Sequence, residues 1–228
     1  MRALIIRPGC ARAWHALTAS VALGALAVQL ALIISGAAIL VEAAAAPSTP
    51  VRVFRFFTYF TVQSNFLVLF TAATLARDPG RGGAFWRVVR LDAVLGITVT
   101  GLIHWFFLRP LLDLHGWSWV ADKLLHVAVP VLAVVGWAVF GPRGRIRRNT
   151  IYLALVWPAA YMVFTVLHGA IAGFYPYPFT DVQTHGYVKV GLNAIAIAVL
   201  FLVLAFAAQA LDQRVALGRF DNRQRDGR

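Results

Sequence analysis

Apolar positions in this chain run in long stretches instead of alternating or keeping to one helical stripe. Six stretches reach the about 20 residues a helix needs to cross a bilayer. They cover 14–41, 54–76, 88–108, 120–140, 151–172 and 188–211. Turn-forming or charged segments separate them, including RDPGRGG at 77–83, RPLLDLHG at 109–116, GPRGRIRRN at 141–149 and GFYPYPFTD at 173–181. The pattern predicts an all-α polytopic membrane protein, a six-helix bundle filling 1–228 as one domain with a basic tail over 212–228. Alanines at 43–46 look like a signal-peptide cleavage site. The apolar run before them is about twice the length such a signal allows, so it reads as a retained helix. Pro130 and Pro158 fall inside segments and should kink or locally open them.

Composition sharpens this picture. The 228 residues are 60% hydrophobic and 13% charged, far from the balance of a soluble domain or a disordered chain. One cysteine, Cys10, excludes an internal disulfide. A net charge of +12 would suggest nucleic acid in a soluble protein, but its distribution says otherwise. Sixteen of the 21 basic residues lie in the N-terminus, the second and fourth loops and the tail; the other five are Arg52, Arg55, Arg109, Lys123 and Lys189. That asymmetry places both termini in the cytoplasm, with anionic lipid, not nucleic acid, facing the basic side.

Polar groups inside a membrane are costly and are functional candidates. Thr61, Gln63, Ser64 and Asn65 lie in the outer half of the second segment, and His104 near the outer end of the third. Asp122, Lys123 and His126 open the fourth; His168 is near the outer end of the fifth, and Asn193 in the first turns of the sixth. By helical rise, Thr61 and His126 sit at one depth, about 9–10 Å below the outer boundary. The inner halves carry nothing comparable.

A threonine hydroxyl attacks only with a base in reach, and a neutral imidazole is such a base. Thr61 and His126, brought to one depth, are compatible with such chemistry. Asp122, four residues before His126, can orient it, and Asn65, one turn from Thr61, can donate to a developing oxyanion. His104, His168 and Asn193 are expected to line the same cavity. Two other readings stay open: such groups also bind neighbouring helices together, and three histidines with Asp122 are a conceivable zinc set. Trp105, Trp117, Trp119 and Tyr175 fit an interfacial aromatic belt. The stiff Tyr-Pro-Tyr-Pro-Phe run at 175–179 is either a plain loop or a lid presenting Tyr175, Tyr177 and Phe179 to the cavity. Nucleophile-elbow, zinc-protease, P-loop and dinucleotide motifs are missing, and no cofactor is expected.

Three stretches carry a family resemblance. FTYFTVQSN at 57–65 resembles the Tyr-x-Thr stretch of the androgen-induced-gene-like (FAR-type) integral membrane hydrolases. LLHVAVP at 124–130 resembles their His-x-x-x-Pro element, and the aromatic run at 175–179 a third element before the last helix. In layout the chain is most similar to the bacterial six-pass Pr-six-Pr membrane proteins. The resemblance implies a threonine hydrolase of fatty-acid or lipid esters in a bacterial cell membrane, with Thr61 as nucleophile and His126 as base. The alternatives are a non-enzymatic lipid-binding, transport or structural membrane protein, and a histidine-coordinated zinc lipid hydrolase.

Overall fold

The structure, a computed structural model, describes residues 8–36 and 47–225, with side chains as far as Arg214. The alanines at 43–46, Arg2, Arg7 and the tail side chains beyond Arg214 lie outside the described residues. Every regular element among the described residues is helical. Five stretches are long and apolar enough to cross a membrane: Pro8–Ile34, Ala84–Leu111, Gly116–Phe140, Arg148–Ala172 and Val182–Arg214. A sixth results if a bent helix pair, Thr49–Thr58 and Phe60–Arg77, is one span.

Helix α1 (Pro8–Ile34) packs along that pair, α2 (Thr49–Thr58) and α3 (Phe60–Arg77). Its C-terminal carbonyls of Ile33 and Ile34 accept from the Arg52 guanidinium, a cation at the negative end of the helix dipole. Helix α4 (Ala84–Ile103) lies in the middle of the bundle, most of its span buried. Close approach there needs a missing side chain: a Cβ on Gly96 would fall 2.7 Å from Trp157 and 3.0 Å from Ser64 Oγ.

Five spans among the described residues depart from regular α geometry. Tyr59 is extended between α2 and α3, which meet at 68°. Helix α4 runs into a π turn at His104–Leu108 before Pro110. Helix α5 (Gly116–Lys123) joins α6 (Val129–Phe140) through a second π turn at Leu124–Ala128. Pro130 explains the latter, since it has no N–H to offer one turn back and the ladder shifts register there. Likewise α7 (Arg148–Ala154) and α8 (Val156–Ala172) are interrupted at Leu155, just before Pro158. Helix α9 (Val182–Arg225) bends at Gly186, whose φ of +73° suits only glycine well.

The halves of the spans remote from Thr61, expected from the sequence to carry no comparable polar groups, are not bare. His15, Arg90 and Asp92 are buried there, because helical rotation turns these three inward from segment ends that read as loop-proximal. Tyr175 also leaves the expected belt. Trp105, Trp117 and Trp119 are exposed, but Tyr175 is buried against α8, where a Cβ on Gly169 would meet its ring at 2.0 Å.

That contact is testable. Gly169→Ala should overpack the Tyr175 pocket and cost about 1–3 kcal/mol. Gly191→Ala, which meets nothing within 4 Å, should be neutral or stabilising. Thermal unfolding in detergent distinguishes the two; equal midpoints would mean that Tyr175 does not rest on Gly169.

Candidate functional site

The 68° break places Thr61 second in α3, among the N–H groups that a helix start leaves without partners. In a membrane-facing bundle those groups must be satisfied by protein. Local polar residues do this. Gln63 N–H donates to the Tyr59 carbonyl, and Gln63 Nε2 to the Phe57 carbonyl across the break. Thr58 Oγ1 donates to the Arg55 carbonyl. The Thr61 N–H donates to the Tyr177 hydroxyl at 3.0 Å.

Two side chains among the described residues meet the Thr61 hydroxyl. Its Oγ1 lies 3.4 Å from His126 Nε2 and 3.2 Å from the Tyr177 hydroxyl. The first contact is long for a hydrogen bond. His126 is re-aimed by the Leu124–Ala128 π turn, so that its Nδ1 is 3.0 Å from Asp122 Oδ1 and 3.1 Å from the Asp122 carbonyl. Both are acceptors. Either one fixes the proton on Nδ1 and leaves the Nε2 lone pair facing Thr61.

Asp122 is the hub of this cluster. Its Oδ1 also faces His104 Nε2 at 3.2 Å, and its Oδ2 accepts from Lys123 Nζ at 2.8 Å. His104 stacks on His126 with ring centroids 3.8 Å apart and planes within 11°. Each of the two histidines belongs to a π turn, so the paired bulges are what place the rings face to face.

Could this trio hold a metal? One ligand atom each from His104, Asp122 and His126 lie within 4.8 Å of one another. An imidazole binds an ion in its own plane at about 2.0–2.1 Å. Rings stacked nearly parallel direct their lone pairs along separate planes, so both cannot reach one ion unless a ring turns. The arrangement suits a shared carboxylate better than a shared cation.

Two cavities meet at Thr61, Leu108 and Tyr177. One encloses about 530 Å³, counting its open mouth, and is walled chiefly by apolar groups such as Phe60, Val99, Met162 and Phe201. The other, about 610 Å³ on the same measure, holds His104, Asp122, His126, Gln29 and Ser118. No family model, curated protein or solved structure gives a significant match to this chain.

The remaining sequence candidates lie elsewhere or act differently. His168 sits among Phe54, Phe164 and Phe174, outside both cavities. Asn193 donates to the Phe179 carbonyl at 2.8 Å and fastens the 175–179 run to α9. Depth along a helix fixed their level but not their azimuth, and both turn away from Thr61. Asn65 is close yet does not point at the Thr61 hydroxyl: its Nδ2 donates to the Thr61 and Leu125 carbonyls, which leaves no amide hydrogen aimed where an oxyanion forms. The aromatic run is wedged into the bundle, with Tyr175 and Tyr177 both buried and Phe179 stacked on Tyr177 at 5.3 Å. Its polar use was missed by sequence reading; the available signal was that a buried tyrosine hydroxyl needs a partner. Burial pushes the Tyr177 phenol above its ordinary pKa, with the Thr61 contacts acting in the opposite sense, so it remains a neutral O–H.

The two tyrosines should behave differently on losing oxygen. Tyr177→Phe strands the Thr61 N–H and should cost about 1–3 kcal/mol. Tyr175→Phe removes a buried hydroxyl that has no hydrogen-bond partner among the described residues and should be neutral or stabilising. Unfolding midpoints of the two variants measure this, and a Tyr177→Phe protein as stable as the parent would contradict the assigned bond.

Proposed function

We propose that this chain is a six-pass membrane hydrolase of fatty-acid or lipid esters, with Thr61 as nucleophile and His126 as base. The observation that carries the reading is the relay Asp122–His126–Thr61, with Tyr177 on its far side, at the junction of an apolar and a polar cavity. Support also comes from the resemblance of 57–65 and 124–130 to the androgen-induced-gene-like hydrolases.

The chemistry follows from the geometry. Thr61 Oγ1 attacks the ester carbonyl carbon while its proton passes to His126 Nε2. Asp122 keeps the other ring proton on Nδ1 and stabilises the imidazolium that forms. The negative charge on the former carbonyl oxygen develops beside the start of α3, where the helix dipole is positive, and within reach of the Tyr177 O–H. His126 then protonates the leaving alkoxide, and the acyl-threonine is hydrolysed by a water that gives its proton to the same ring. The apolar wall of Phe60, Val99, Met162 and Phe201 suits the acyl chain. The alcohol portion and the attacking water fit the polar one. The zinc reading needs a ring rotation, and a purely lipid-binding role leaves the oriented His126 without use.

Activity on a short fluorogenic acyl ester, in detergent or liposomes, tests this. Thr61→Ala and His126→Ala should each reduce turnover by about 10⁴-fold or more, and the double variant should be no worse, because nucleophile and base act as a unit. Asp122→Asn keeps the backbone carbonyl that holds the His126 tautomer but removes the charge that stabilises the imidazolium, and it should lower turnover by a smaller factor than Thr61→Ala. His168→Ala should stay near the parent. Full turnover in folded Thr61→Ala would end the proposal.

The same proposal includes both termini in the cytoplasm of a bacterial cell membrane, from the basic asymmetry. In a Cys10→Ser background, a membrane-impermeant thiol reagent should label His115→Cys in intact cells and spare Asn149→Cys. The reverse pattern would invert the topology.

A further inference from the structure

The opposite end of the bundle carries a second built site. From Thr61 to Arg77 helix α3 rises about 24 Å, and beyond it four arginines line one cavity: Arg81, Arg87, Arg90 and Arg145. Asp212 is the single acidic residue in that wall. Its Oδ2 is already taken by the backbone N–H groups of Arg145 and Ile146, at 2.6 and 2.9 Å.

The guanidiniums are positioned by neutral groups. Buried Arg90 donates to the carbonyls of Gly141 and Pro142 at 2.6 and 3.0 Å. Arg145 donates to the carbonyls of Gly80 and Arg81. Arg81 lies over the Trp86 ring, 5.2 Å from its centroid. Arg87 Nε is buried and has no hydrogen-bond partner among the described residues. Four cations therefore face one committed carboxylate, and three positive charges remain uncompensated. Arg90 is buried and Arg87 and Arg145 are half-buried, and holding their charges together is unfavourable unless an anion enters.

We infer that this cavity binds a phosphate group, held by Arg87 with Arg81 and Arg145 and backed by the fixed charge of Arg90. Planar guanidinium forks match phosphate oxygens in pairs. Trp86, Leu91 and Trp137 in the same wall give the apolar side that a glycerolipid would need below its headgroup. The phosphate belongs either to an anionic phospholipid or to a free anion, and the wall composition favours the lipid. This inference does not depend on the hydrolase reading.

The test uses the full chain and two probes. In nanodiscs of phosphatidylcholine doped with phosphatidylglycerol, native mass spectrometry reads which lipid stays bound. The parent should retain phosphatidylglycerol preferentially. Arg87→Gln should lower that preference about tenfold, as expected for losing charge-assisted bonds, while Arg148→Gln, exposed and outside the cavity wall, should not. Arg81→Gln, at an exposed residue, serves if Arg87→Gln fails to fold and should show the same direction. In detergent, sodium phosphate against chloride at equal ionic strength reads the free anion by thermal shift. A shift that Arg87→Gln abolishes, without lipid preference, assigns the cavity to free phosphate. Equal losses in Arg87→Gln and Arg148→Gln reduce the effect to diffuse charge and overturn the site, as does the absence of both binding signals.

Discussion

A broken helix within a membrane leaves backbone N–H and C=O groups that lipid cannot satisfy, and the arrangement around Thr61 follows from that constraint. The bend at Tyr59 frees the carbonyls closing α2 and the N–H groups opening α3. Thr58, Gln63 and Tyr177 take up those bonds. Tyr177 can do so only because the Phe174–Tyr177 stretch enters the bundle. The same hydroxyl that satisfies the backbone then lies next to the Thr61 side chain. The structural repair and the candidate chemistry are one set of contacts.

Asp122 imposes a second order on the site. A buried carboxylate needs partners on both oxygens, and it finds Lys123 on Oδ2 and His126 on Oδ1, with His104 Nε2 3.2 Å from Oδ1. His126 is thereby fixed in ring orientation, and His104 is drawn against its face. Orientation of the base comes from solving the solvation of the acid.

Much of this was legible in the sequence, and the rest was hidden for definable reasons. Uninterrupted apolar stretches predicted the helices, and helical rise brought Thr61 and His126 to a common level. Level is a statement along the axis. His168 and Asn193 share it and still face Phe54 and the Phe179 carbonyl instead of Thr61, because rotation about the axis depends on packing that hydropathy does not encode. Asn65 sits one turn from Thr61 as its spacing implies, yet its amide serves backbone carbonyls. The break at Tyr59 lacked any glycine or proline to announce it. Its trace was the polar run at 61–65, which the sequence left between site chemistry and bonds to neighbouring helices, whereas Gln63 bonds the backbone across the break.

The two π turns change how this chain compares with any other. Each holds one residue more than the α-helical turn it replaces, and each is followed within two residues by a proline, Pro110 or Pro130. Removing one residue from Leu124–Ala128 would restore an ordinary helix that sweeps nearly the same total angle, so the Val129–Phe140 packing surface would keep its direction. The change would fall on the residues inside the turn, and His126 would lose the direction the wider turn gives it. Length between Lys123 and Pro130 is therefore a property of this fold in its own right, more binding than the identity of the apolar residues in between, and an alignment that places a gap there joins chains that cannot share this site.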